Sequence, residues 1–203
     1  MPHINSRYIR KGGIEGEFSI KDFVVFTGDG KLKHVSVYWE ATVALALILD
    51  EAHAHAIAAA DEPLDESDPE AAFVQIENRK ILQVSDTCLI KANIFCLLVG
   101  FVEYAMLEVY SLVFGGPPLE RRPDLKKHIL PPLQARGVVS DTPAAYEKYV
   151  SNNRDAVRNA FLHGRWGQLK ATTAPIELYD VFAGIVSYLG AVELNLRKQG
   201  FNP

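Results

Sequence analysis

Three side chains within six residues carry most of the chemistry this sequence can offer. They are Arg158, Asn159 and His163, in the run Arg158-Asn159-Ala160-Phe161-Leu162-His163-Gly164. An imidazole titrates near neutrality, so it can take up and return protons. A guanidinium is a permanent charge whose planar fork of donors matches a phosphate and can stabilise a pentacoordinate phosphorus. Together they could cleave a phosphodiester without a metal, provided the substrate carries its own nucleophile. RNA does, in its 2′-hydroxyl, and DNA does not, so the chemistry itself selects RNA. Asn159 and His163 are four apart on a helix and can touch. Arg158 and His163 are five apart, which sets them about 140° from each other. They converge only if the helix frays at His163 or if two copies of the helix meet across a two-fold axis.

Further cations surround this run. Arg154, one turn before Arg158, adds a second phosphate contact unless Asp155 or another acid pairs with it. Arg165 and Lys170 extend the basic patch along a path an RNA backbone could follow. Arg121, Arg122, Lys126 and Lys127 form a second basic segment, which reads as a solvated connector or as a backbone contact near the mouth of the site.

The elements that must position these residues read as helices. Val37 to Ala60 is rich in Ala and Leu without Gly or Pro, and predicts one long helix. The acidic, proline-bearing stretch from Asp61 to Pro69 predicts a loop, and Glu70 to Val84 a second helix. Ser85 and Asp86 offer an N-cap for an apolar helix ending at Phe114, before Gly115-Gly116-Pro117-Pro118. A short helix at Leu125 to Ile129 is expected to be interrupted by Pro131-Pro132. Thr142 with Pro143 caps the helix that runs to His163, and Gly164 stops it. A last helix runs from near Pro175 to Lys198. On the motif helix Tyr146, Tyr149, Val150, Val157, Ala160 and Phe161 share a core stripe, with the amide of Asn153 among them. The expected fold is all-α, an antiparallel bundle of four to six helices over residues 35–203. Residues 1–34 read as a small irregular or β-hairpin appendage, with a strand at Phe23 to Phe26 and a turn at Thr27-Gly28-Asp29-Gly30.

The run from Arg158 to Gly164, placed late in such a bundle, resembles the signature of the HEPN superfamily: an arginine, often followed by a polar residue, and a histidine four to six residues later. The resemblance covers about Val37 to Lys198. It implies a dimeric, metal-independent ribonuclease of the kind found in toxin–antitoxin and phage-defence systems, with an antitoxin or other regulatory protein as a possible partner. It also implies catalytic roles for Arg158 and His163, with Asn159 orienting the histidine. An acid from an earlier helix often joins such a site. Glu103 is the choice here, because a carboxylate in an otherwise apolar helix needs a cationic partner, and Glu108 is the alternative. Other HEPN domains act as non-catalytic binding or regulatory modules, which is the rival expectation.

Composition narrows the field. At 48% hydrophobic residues the chain can build a core, and a net charge of −4 argues against a protein whose main task is coating nucleic acid. The apolar stretch from Ile94 to Phe114 is interrupted by Glu103 and Glu108 and reads as a core helix, not a membrane span. Met1 to Gly13 lacks the apolar run of a secretory signal, and Cys88 and Cys96 read as buried thiols of a reducing, cytoplasmic setting. Asp50, Glu51, His53 and His55 hint at a metal, but no second acid-x-x-His element accompanies them. They read as an ordinary charged helix end running into a loop, and no metal or cofactor is expected. Trp39 and Trp166 are expected to pack on the bundle. Nucleotide-binding glycine loops and nucleophile elbows are absent from the sequence.

Overall fold

The computed structural model describes residues 20, 23–28, 30–60, 67–85, 88–139 and 146–201. Its elements are helices: α1 (Val24–Thr27), α2 (Lys33–Ala60), α3 (Pro69–Ser85), α4 (Cys88–Phe114), α5 (Leu130–Ala135), α6 (Asn152–Leu162), α7 (Trp166–Thr173) and α8 (Leu178–Lys198). A π-helical turn leads into α5 (Leu125–Ile129), and another leads into α6 (Glu147–Ser151). The chain is all-α, with no strand among the described residues. Residues 61–66, Asp86, Thr142 and Pro143, where parts of the acidic loop and two caps were expected, lie outside the described residues, as do residues 1–19.

α4 is the helix on which α2, α5, α6, α7 and α8 all pack. It is long and apolar enough to cross a membrane by composition alone. Here it supplies eleven buried residues, among them Phe95, Leu98, Phe101, Val102 and Met106. α2 packs on α4 through Trp39, whose ring lies 5.0 Å from Phe101 and 6.0 Å from Phe182 of α8. Tyr146 stacks on Tyr188 at 4.2 Å and carries the segment before α6 onto α8. Burial drives both phenol pKa values upward, and each is further raised by a neighbour: Tyr146 by Glu103, against the opposing charge of Arg154, and Tyr188 by Tyr146.

The helix ends follow local chemistry. The Asp68 carboxylate accepts from Glu70 N and Ala71 N, both at 3.1 Å, and so caps α3. α6 closes with a 6→1 bond from Arg165 N to Ala160 O (2.8 Å) and a bond from Gly164 N to Phe161 O (3.2 Å). This Schellman turn needs a left-handed residue, and Gly164 supplies it at φ +62°. The glycine after the histidine is therefore the stop the sequence implied.

Three sequence expectations need correction. Phe23 to Phe26 does not form a strand: Val24–Thr27 is a helical turn, and Val25 and Phe26 are buried in the hydrophobic core. The cause is distant in sequence. Glu193 of α8 is buried, and its carboxylate accepts from Val25 N at 2.8 and 3.1 Å. Pro131-Pro132 does not interrupt the short helix either. The prolines occupy the first positions of α5, where a missing N–H costs nothing. Finally, the last helix begins at Leu178, and a separate helix, α7, occupies Trp166–Thr173, where none was expected. Buried Leu169 anchors α7, and the Lys91 ammonium of α4 donates to Ile176 O at 2.9 Å in the connection that follows.

Candidate functional site

On α4 the row Cys96, Gly100, Glu103 and Leu107 runs at i+3/i+4 spacing along one side. Glu103 is the one carboxylate in that row, and α6 packs against it. Arg154 and Arg158, one turn apart on α6, both reach it. Arg154 donates to Glu103 Oε1 from Nε at 3.0 Å and from Nη2, and Arg158 Nη1 approaches the same oxygen at 3.4 Å. Asp155 continues the chain: its Oδ1 takes Arg154 Nη1 at 3.4 Å, and its Oδ2 takes Lys126 Nζ at 2.9 Å.

The two arginines differ in exposure. The Arg154 side chain keeps 7% of its surface, and that of Arg158 keeps 46%. Burial works against the Arg154 charge, but the hydrogen bond and charge of Glu103, then Asp155 and Asp124, outweigh it and raise its pKa above the ordinary value. Asp155 is held below the usual carboxylate range, first by the hydrogen bond from Lys126, then by the charges of Lys126, Arg154 and Arg158. Arg154 is thus the arginine for which acids are found, and its charge is committed to the protein. Arg158 makes a single long contact, and its remaining donors are unengaged among the described residues.

Arg154 and Arg158 line a cleft of about 530 Å³, together with Gly100, Glu103, Tyr104, Arg122 and Asp124. Around it Arg122, Lys126, Arg154 and Arg158 face Glu103, Asp124 and Asp155, so one positive charge is unmatched. Arg122 belongs to the basic segment read as a solvated connector or as a contact near the mouth of the site, and it lines the cleft. The Asp124 carboxylate accepts from Lys127 N at 3.0 Å and caps the π-turn that follows Arg122 and Pro123.

His163 is exposed at the C-cap of α6 and does not line this cleft. Its side chain makes no hydrogen bond or ion pair with the described residues. No hydrogen bond joins His163 to Arg158 within the chain, in keeping with positions about 140° apart on an ideal helix. Asn159, also exposed, lines a depression of about 410 Å³ between α6 and α7 with Asp155, Arg165, Gln168 and Thr172. Lys170 is exposed on α7 and lines neither hollow.

Other expected residues separate as follows. Glu108 turns to α2, pairing with His34 at 3.1 Å. Asn153 is half-buried and donates to Lys148 O at 3.2 Å. Asp50 and His53 do not sit at a charged helix end running into a loop: α2 continues to Ala60, and both are buried on its inner side. Among the described residues no group of three metal-ligating side chains occurs. Trp39 packs as expected, whereas Trp166 is 57% exposed beside the Gly164 turn. Cys88 and Cys96 are free and half-buried, and burial raises the Cys96 thiol pKa against the opposing charge of Arg158.

No protein-family model, no curated protein and no solved structure matches this chain.

Proposed function

We propose that this chain is a HEPN-type endoribonuclease that binds an RNA phosphate at Arg158 and moves protons with His163, without a metal. The observation that carries this reading is the state of Arg158: a half-exposed guanidinium, only partly neutralised, at a cleft with an unmatched positive charge. A scissile phosphate is the anion that such a fork fits, and it would replace the weak contact to Glu103. Arg154 and Glu103 then act as positioning residues that hold Arg158 at the cleft wall.

In the reaction, the 2′-hydroxyl loses its proton to the histidine and its oxygen bonds to phosphorus. The bond from phosphorus to the 5′-oxygen breaks, and that oxygen is protonated. The products are a 2′,3′-cyclic phosphate and a 5′-hydroxyl. Since His163 lies off the Arg158 cleft, the reading requires a second copy whose α6 brings its histidine to this arginine. Asn159 is one helical turn from His163 and would orient it, and Arg165 with Lys170 would extend the RNA track along α7.

The test is incubation of the purified chain with mixed single-stranded RNA in EDTA, followed by end analysis. Cyclic-phosphate ends that disappear in His163→Ala are expected. Intact RNA, or cleavage only on addition of a divalent cation, would remove the proposal.

A non-catalytic RNA-binding module is favoured by one specific observation. The Lys126–Asp155–Arg154–Glu103–Arg158 network already gives every one of its cations an acid, and His163 stands outside it. That reading expects RNA to bind uncut, with His163→Ala indistinguishable from the parent.

A further inference from the structure

α2 is apolar on both sides, which is unusual for a helix with one face in solvent. Its inner side carries buried Trp39, Ala46, Asp50 and His53. Its outer side carries Val37, Ala41, Ala44, Leu45, Ile48 and Ala52, all exposed. Val37 is 59%, Leu45 45% and Ile48 60% exposed, and neighbouring Tyr38 is 55% exposed. The acids that border this stripe, Glu40 and Glu51, lie together on one flank of it. Together the stripe and Tyr38 leave on the order of 500 Å² of apolar surface on one helix, at the top of the range for a monomer patch and most of the roughly 800 Å² per partner of an ordinary interface.

The order of residues along the stripe identifies what fits it. An antiparallel copy related by a two-fold axis through the midpoint of Ala44 and Leu45 sets each residue opposite the one reflected about that point. Val37 then faces Ala52, Ala41 faces Ile48, and Ala44 faces Leu45, each pair repeated by symmetry. Every pair joins a large side chain to an alanine, so knobs meet holes and the backbones can approach to about 8 Å. The charges agree with this register. Glu51 falls opposite the Tyr38 phenol and Glu40 opposite Leu49, so no two acids confront each other.

We propose that the outward face of α2 is a docking surface for a second copy of this chain, packed antiparallel about Ala44 and Leu45. The surface stands independently of the RNA reading. α2 turns its inner side to α4, and at the edge of the outer stripe the Tyr38 ring packs edge-on against Tyr104 of α4 at 5.2 Å, beside the cleft that Tyr104 lines with Arg158. Any contact that joins two α6 helices is a separate one.

The test is the mass in solution of the full chain at tens of micromolar, by light scattering coupled to size exclusion, for four proteins: parent, Ala41→Lys, Ile48→Glu and the double variant. The parent is expected at no less than twice the 22.5 kDa chain mass. Each single variant places a charge against apolar surface and halves the assembly. In the double variant the new ammonium at position 41 of one copy faces the new carboxylate at position 48 of the other, at two symmetric points. It recovers the parent mass only in the antiparallel register. Circular dichroism checks that all four keep their helix content. The helix content of the double variant keeps the test decisive even if one single variant misfolds. A monomeric parent overturns the proposal, including one that instead co-sediments with phosphatidylcholine vesicles. So does a single variant that keeps the parent mass, or a double variant that stays dissociated.

Discussion

The two flanks of α6 carry polar residues one or two turns apart, and the bundle uses them differently. On one flank, Arg154 and Arg158 meet Glu103 of α4, and the more buried of the two is fixed by acids on both sides. On the other, Asn159 and His163 face solvent at a helix end that the Gly164 turn holds in place. A half-buried carboxylate in an apolar helix demands cations, so Glu103 chooses its arginines for structural reasons first. What is left over after that demand, the free donors of Arg158 and the imidazole of His163, is what the protein can offer a ligand. Polar residues in a motif are therefore not equivalent, and the ion-pair geometry sorts them.

The sharpest way to break this contrast is to remove the shared acid. Glu103→Ala leaves buried Arg154 with only its 3.4 Å contact to the exposed Asp155, and should lower unfolding free energy by about 2–3 kcal/mol in urea titration. A loss below about 0.5 kcal/mol, the size of an ordinary surface substitution, would mean the network is ornamental. Arg154→Met should cost nearly as much, about 1–2 kcal/mol, because it leaves Glu103 only the long contact from Arg158. Arg158→Ala, on the exposed flank of the same network, should cost no more than about 0.5 kcal/mol in the same titration. Equal losses at 154 and 158 would erase the distinction drawn between them.

Smaller effects refine it. The depressed pKa of Asp155 means its contribution to stability is present above the pKa of an unfolded aspartate and is lost as pH falls through its lower folded value. Lys126→Ala should move the Asp155 titration, followed by carboxyl NMR shifts, back up toward 3.8. The smallest expected change concerns Cys96. Its raised thiol pKa should make alkylation near pH 8 slower than for an unburied cysteine, and Arg158→Ala should slow it further by removing an opposing charge. Faster alkylation in that variant would place Arg158 elsewhere.

Much of this was legible in the sequence where local rules dominate. The Ala/Leu run of α2, the glycine stop after Phe114 and the His-Gly end of α6 were all read from propensity and capping, and Glu103 was singled out because an acid in an apolar helix needs a partner. What was not legible depends on distant contacts. Val24–Thr27 has the composition of a strand, and becomes a helical turn because Glu193, 168 residues away, accepts from Val25 N. α7 is a short run of mixed propensity whose helix depends on burying Leu169. Arg154 and Arg158 differ by only about 40° around the helix, and which one is swallowed is set by the height of Glu103 on α4. Which cation of the 121–127 segment lines the cleft, Arg122, is set by how that segment packs on α4.

The central claim is that the arginine of one copy and the histidine of another build one site. Subunit complementation tests it most directly. Arg158→Ala and His163→Ala, each assayed alone on RNA in EDTA, should each lose more than about 100-fold in cleavage rate. Mixed in equal amounts and re-equilibrated, they should recover about a quarter of the parent rate, because half the dimers then hold one intact site. A mixture as inactive as its two components, or a parent that leaves RNA uncut, would contradict the account.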